Sequence, residues 1–344
     1  MPIIGFAAWC PGGRNSVGRV RGSVGVPAVT APDVLALPRL PVPGLDSAPR
    51  RVSDLVTAVT TFEGEGFQVR RAFPHPSFSA TDPFLLLDHL GAVEYAPGEA
   101  KGAPDHPHRG FETVTYIMDG AIEHRDSTGG GGVITDGATQ WMTAGAGIVH
   151  SEMPPEALVR SGGLFHGVQL WVNLPRAEKW APPRYQDLRG DGLVLVSSPD
   201  GGALVRLIAG NLAGFEGPGS TYTPIVYAHA TVSPGARLEV PWPDGFNAFV
   251  YALAGRGRVG ADNLPIEEGR LAALASGGHV VVEAAPRQPE STPALEVLLL
   301  GGRPIREPVV FYGPFVMNTK AEILEAIDDY RAGRMGVIPP NVLG

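Results

Sequence analysis

Seven of the nine histidines in this chain fall between positions 75 and 166, and two short pairs stand out among them: His106-Pro-His108 and His150-Ser-Glu152. In a β-strand, residues i and i+2 point to the same face. Each pair can therefore present two ligand atoms from one strand, or from the extended lip leading into it. Two such strands facing each other inside a barrel supply three imidazoles and one carboxylate. That donor set suits Fe, Mn, Ni, Cu or Zn rather than Ca or Mg. An octahedral ion held by four protein ligands keeps two positions open for water, O2 or a substrate. A lone histidine such as His75 or His124 reads as an ordinary core or surface residue. His229 and His279, in the second half, stand alone in unlike contexts.

Such pairs need strands, and the surrounding sequence supplies them. Phe67–Phe73 alternates as a half-buried strand does, and Phe84–Leu90 is a short apolar run. Phe111–Met118, Gly120–Arg125, Gly132–Thr135, Ala138–Thr143, Gly147–Glu152 and Gly167–Asn173 follow at close spacing, separated by Gly-rich turns. This is the rhythm of a barrel or sandwich. A Pro- and Arg-rich link, 175–189, leads to a second β-rich stretch. Its strands include 204–208, 225–232, 248–252, 279–283 and 295–300. A weak internal duplication relates the two halves. Near the C-terminus, Thr319-Lys-Ala-Glu322 forms a capping box. Ile323, Ala326, Ile327 and Tyr330 then space out one helical face, and Gly333 stops the helix.

Composition agrees with this picture. The 46 Gly and 34 Pro argue against a helical bundle, and 44% hydrophobic residues are enough for a large core. A net charge of −8 offers no basic surface for direct nucleic-acid binding. One cysteine, Cys10, excludes an internal disulfide framework and a multi-Cys zinc site. No run of apolar residues is long enough for a membrane helix, and Met1–Cys10 lacks the basic start of a secretory signal. The location expected is cytoplasmic.

The length suggests two domains, 53–190 and 191–344. Residues 1–52, rich in Pro and without periodic apolar patterning, are expected to be an extension that stays poorly ordered unless it docks on a partner or on the body. A chain starting near Arg51 is expected to fold and keep its metal. Gly255-Arg-Gly-Arg-Val-Gly260 fits a dinucleotide-binding expression, but Ala261-Asp-Asn-Leu-Pro265 follows where a helix would have to start, so a hairpin is expected. Gly129–Gly132 lacks the Lys-Ser/Thr ending of a phosphate loop.

The residues 106–116 (HPHRGFETVTY), 140–153 (QWMTAGAGIVHSEM) and 169–174 (QLWVNL) resemble the pirin family of the cupin superfamily, and 313–319 (GPFVMNT) with the following helix resembles that family's C-terminal end. The resemblance covers about residues 55–340. It implies an all-β protein of two cupin, jelly-roll-like β-barrels packed face to face, with a short C-terminal α-helix. It also implies one divalent transition metal per chain, Fe(II), in the N-terminal barrel, and a metal-free second barrel. Carried over by motif, the ligands are His106, His108, His150 and Glu152. Many other cupins use the Glu four residues after H-x-H, here Glu112. The pirin pattern favours Glu152.

Some pirins cleave flavonols such as quercetin with O2, releasing carbon monoxide, and the resemblance implies a quercetin 2,3-dioxygenase-like oxidoreductase. Glu152 is then also the catalytic group that accepts the substrate hydroxyl proton. Phe111, Trp141, Met142 and Phe165 are candidate pocket walls, with core packing the more ordinary role for each. The alternative is a redox-sensing regulator that binds a transcription factor or a metabolic enzyme through its iron-bearing barrel. The substrate pocket, the physiological partner and the oligomeric state, a monomer included, are not legible at this level.

Overall fold

The computed structural model describes residues 34–189 and 192–340. The first barrel is a sandwich of two antiparallel sheets. Its seven-stranded sheet runs in the order Arg184–Leu188, Thr139–Thr143, Phe111–Asp119, Gly163–Asn173, Phe84–Tyr95, Phe67–Phe73, Val59–Glu63. Its four-stranded sheet is Ala103–His108, Ile148–Met153, Ala121–Asp126, Gly131–Thr135. The second barrel repeats the plan, with a seven-stranded sheet from Val52–Thr57 to Val194–Ser197 and a four-stranded sheet of Arg237–Pro241, His279–Ala284, Arg256–Val259 and Leu264–Glu267. Arg256–Val259 and Leu264–Glu267 pair as a hairpin, so the glycine expression at 255–260 is turn chemistry. Residues Arg184–Leu188, inside the expected link, pair with Thr139–Thr143 as an edge strand.

The two seven-stranded sheets pack on each other. Val114, Tyr116, Val168, Leu170 and Val172 from the first meet Tyr227, Phe249, Tyr251, Leu298 and Leu300 from the second in one buried cluster. Each of these strands alternates strictly, so the residues between them turn into their own barrel. In the second barrel these are apolar: Val226, Ala228, Ala230 and Val232 pack with Val240, Val280 and Val282. In the first they include Thr115 and Gln169, which face the histidine-bearing strands, and that difference makes the site. Among the described residues no helix is long and apolar enough to cross a membrane.

At both ends of the described residues the chain crosses to the other barrel. The extension is expected to be poorly ordered unless it docks on a partner or on the body of the protein. Residues 1–33 lie outside the described part, and the remainder docks on the second barrel. Leu40 is 1% exposed inside the second barrel's core, and Leu40 N and Ser197 N donate to Ser197 O and Pro38 O. Arg50 is buried and donates to the Gly277 and Ala275 carbonyls. Val52–Thr57, expected to open the first barrel, pairs with Arg270–Leu274 of the second. The segment needs no periodicity for this: one apolar anchor and a sheet edge that accepts its free N–H groups are sufficient, and its prolines fall where no ladder bond is lost.

Reciprocally, the hairpin Val310–Tyr312/Phe315–Met317 and the helix Lys320–Arg331 pack on the first barrel rather than on the second. Thr319 caps the helix in the expected box with Glu322. Ile323 and Ala326 bury with Val149, Phe315, Met317 and Met335, whereas Tyr330 is exposed. Val316 N donates to Arg109 O, and the Arg109 guanidinium pairs with Asp329 at 2.6 Å. The buried Lys179 ammonium donates to Gly110 O, Asn173 Oδ1 and Val316 O. Burial lowers its pKa from 10.5 to about 8, more than the carboxylates of Glu307 and Glu322 raise it.

Two outcomes follow for stability. Leu40→Ala should cost about 2–5 kcal/mol in denaturant unfolding, while Val42→Ala, at a position 70% exposed, should stay within about 0.5 kcal/mol. A chain starting at Arg51 should be destabilised for the same reason. For Lys179 the folded pKa lies below the unfolded one, so the unfolded state binds more protons between about 8 and 10.5. Its contribution therefore makes stability rise with pH across that window. Unfolding curves of the parent chain and of Lys179→Met, compared at pH 7.5 and 9.5, should show that slope only in the parent.

Candidate metal centre

Strand Ala103–His108 lies antiparallel to Ile148–Met153, with His106 opposite His150. This register places both i, i+2 pairs side by side on the inner face of the four-stranded sheet. One ring nitrogen from each of His106, His108 and His150 lies within 4.8 Å of the other two. The ring centroids are 4.3–4.9 Å apart. His106 Nδ1 bonds to Pro104 O at 2.7 Å and His108 Nδ1 to Pro314 O at 3.2 Å. Carbonyls accept, so both Nδ1 atoms carry the proton and both Nε2 lone pairs are free.

His150 is oriented by a longer chain. Asp126 accepts from His124 Nε2 at 3.2 Å, which leaves His124 Nδ1 as the acceptor for His150 Nδ1 at 3.3 Å and Gln140 Nε2 at 2.5 Å. His150 Nε2 is then a buried lone pair without a hydrogen-bond partner. An unpaired buried acceptor is costly, and a cation shared with its two neighbours removes that cost. Burial, and after it the nearby His106, lower the pKa of His108 and His150 well below the usual imidazole value. Both are therefore neutral at pH 7, the form that ligates. The residues fit a divalent transition metal.

Three of the four predicted ligands are thus brought together. The fourth, Glu152, lies on the same inner face but outside that 4.8 Å cluster. Its carboxylate accepts from Thr115 Oγ1 at 2.6 Å and Gln169 Nε2 at 2.7 Å. Glu112 is on the opposite face of its strand, with Val114 and Tyr116. There it accepts from Thr143 Oγ1 at 2.7 Å and from Thr221 Oγ1, a residue of the second half, at 2.5 Å. Burial raises its pKa, and these bonds oppose the rise. Alternation alone turns it away from the imidazoles.

Of the four proposed walls, Phe111 packs against a ligand ring, with its centroid 5.0 Å from that of His108. Met142 points inward and packs with Ala144 and Ile148. Trp141 belongs to the core between the barrels, and Phe165 packs against the small cluster of Ile117, Ile134 and Ala138. Trp141 thus has the ordinary core role, set by the same alternation that turns Glu112 away. Trp171 is the wall missed, 5.1 Å from His108 and 4.4 Å from Phe111. Its signal was present: in Gly167–Asn173, Val168, Leu170 and Val172 form the apolar face, which leaves Gln169 and Trp171 inward. His124 was missed too, although His124-Arg-Asp126 is a third i, i+2 pair of the same kind.

Gly110, two residues after His108, has φ +89°, and a Cβ there would strike Val316 O. Only glycine lets the C-terminal hairpin close over the ligand strand.

Comparisons with known proteins agree with this architecture. The Pirin family profile matches residues 66–172, and that of the Pirin C-terminal cupin domain matches 227–336. A pirin-like protein of Solanum lycopersicum is 42% identical over 291 residues, 84% of this chain and 94% of that protein. The crystal structure of a quercetin 2,3-dioxygenase from Acinetobacter baumannii superposes with a TM-score of 0.78 at 36% identity, covering 85% of this chain and all of that one. A bacterial pirin from Escherichia coli, crystallised with nickel(II), shares the fold at a TM-score of 0.53 and 20% identity, covering 74% of this chain and 98% of that one.

His150→Ala should abolish retention of a stoichiometric metal through desalting, read by elemental analysis. Glu112→Gln should leave the metal content unchanged and lower only the thermal midpoint, because its partners are Thr143 and Thr221.

Proposed function

The chain belongs to the pirin family, and on that premise we propose that its first barrel is a dioxygenase centre for flavonols such as quercetin. The reaction is cleavage of the flavonol ring by O2 with release of carbon monoxide. The observation that carries this reading is the orphaned Nε2 of His150, buried beside two further imidazoles whose Nδ1 atoms are already engaged. In this reading the ion is Fe(II), which His106, His108 and His150 would hold, with Glu152 as the fourth ligand. The nickel in the E. coli relative supports a divalent transition metal, and the A. baumannii dioxygenase supports the substrate class. When bound, the ion supplies Lewis acidity toward a deprotonated hydroxyl and redox access to O2.

The chain's own residues do the remainder. Thr115 and Gln169 fix both oxygens of Glu152 by donating to them. A substrate hydroxyl entering the barrel therefore meets an acceptor in a set position, and Glu152 takes its proton. As a fourth ligand, Glu152 would have to give up one of those bonds. Phe111 and Trp171 form an apolar wall beside His108 that keeps water off one side of the substrate.

Quercetin added anaerobically to the Fe(II) protein should shift its absorbance, and admission of air should start oxygen uptake with carbon monoxide release. Glu152→Gln should lower kcat by about a hundredfold or more. A metal-loaded protein that binds quercetin with no oxygen uptake would overturn the enzyme reading and leave the redox-linked regulator in its place.

A further inference from the structure

The aromatic surroundings of His108 are built from two distant parts of the chain. Trp171, beside His108 and Phe111, comes from the first barrel. Phe311, from the C-terminal hairpin, stacks on Trp171 with centroids 5.9 Å apart and planes 14° from parallel. Phe311 remains 46% exposed and Tyr312 63% exposed. A single exposed aromatic needs no explanation, but Phe311 continues an aromatic wall that starts at a metal-ligand ring. Its position is fixed as well: Pro314 O accepts from His108, Val316 N donates to Arg109 O, and Lys179 ties Val316 O to Gly110 O. Deeper in, the wall turns polar. Trp171 Nε1 donates to Gln169 Oε1 at 3.2 Å, and Gln169 Nε2 donates to Glu152. A ligand that matches this gradient has oxygen donors at one end and a flat apolar ring system extending from them.

We propose that Phe311 is a specificity-determining residue, giving the C-terminal hairpin the task of selecting extended planar aromatic ligands over small chelators. This rests on the metal-centre reading above and adds to it that the metal-bearing barrel alone does not set the preference. Phe311 offers a second stacking surface one ring beyond Trp171. A compact chelator bound at the imidazoles stops short of it and gains nothing from it.

The test uses the full chain loaded with nickel(II), titrated under argon with quercetin and, separately, with acetohydroxamate, a chelator without a ring. Elemental analysis should give about one metal per chain in the parent, in Phe311→Leu and in Phe311→Tyr. The quercetin Kd should rise about threefold to tenfold in Phe311→Leu, the range of one aromatic contact, and return to the parent value in Phe311→Tyr. The acetohydroxamate Kd should change less than about twofold in either variant. Equal changes for both ligands, no change for quercetin, or loss of metal from Phe311→Leu would each overturn the role of Phe311. A parent chain that retains no metal would instead overturn the metal-centre reading itself.

Discussion

The burial of one seven-stranded sheet against the other is the contact on which the remainder of the molecule depends. Tyr116, Val168, Leu170 and Val172 of the first barrel are inaccessible because Tyr227, Phe249, Tyr251 and Leu298 cover them. With a side-chain period of two, fixing those residues outward fixes Thr115, Gln169 and Trp171 inward. A one-residue slip would carry Glu112 into the barrel and Thr115 out of it. The chemistry of the centre is in this sense set by packing about one sheet thickness away.

That interface is also more polar than an ordinary core. Tyr116 OH donates to His229 Nδ1 at 2.9 Å, and His229 Nε2 donates to Glu296 at 2.9 Å, which also accepts from Thr231. On the same interface His89 lies between Tyr251 OH at 3.1 Å and His166 Nε2 at 2.8 Å. Burial lowers the pKa of both His89 and His166, so the pair is neutral and its short contact is a hydrogen bond rather than a repulsion. Apolar sheets tolerate several angles and offsets, whereas a buried donor and acceptor must meet. These bridges fix the register in which the two sheets face.

The segments exchanged between the barrels add a second constraint. The N-terminal segment closes the second barrel with Leu40 and Arg50, and the C-terminal hairpin closes the first over His108. Neither barrel is completed by its own stretch of sequence. The strand of His106 and His108 borrows Pro314 O to orient one imidazole, and Gly110 admits the visiting backbone.

The sequence by itself determined whatever depends on near neighbours. Alternation marked the strands, the Thr319/Glu322 box marked the helix, and His106-Pro-His108 with His150-Ser-Glu152 marked which face of two strands carries donors. The family resemblance named the fold and the preference for Glu152 over Glu112. What only the tertiary structure decided involves partners far apart in the chain. Spacing cannot tell which strand lies opposite His150, so the convergence of three rings and the His124–Asp126 support came from register. It cannot tell that Thr221 approaches Glu112, that Leu40 enters the other barrel's core, or that His229 is tied to Tyr116. Nor could a Pro-rich stretch without periodicity reveal its anchor, because one buried leucine at a sheet edge leaves no repeating pattern to read. Local periodicity encodes which way a side chain points; what it meets there depends on contacts that close over tens of residues, as between His106 and His150, or over more than a hundred, as between Tyr116 and His229.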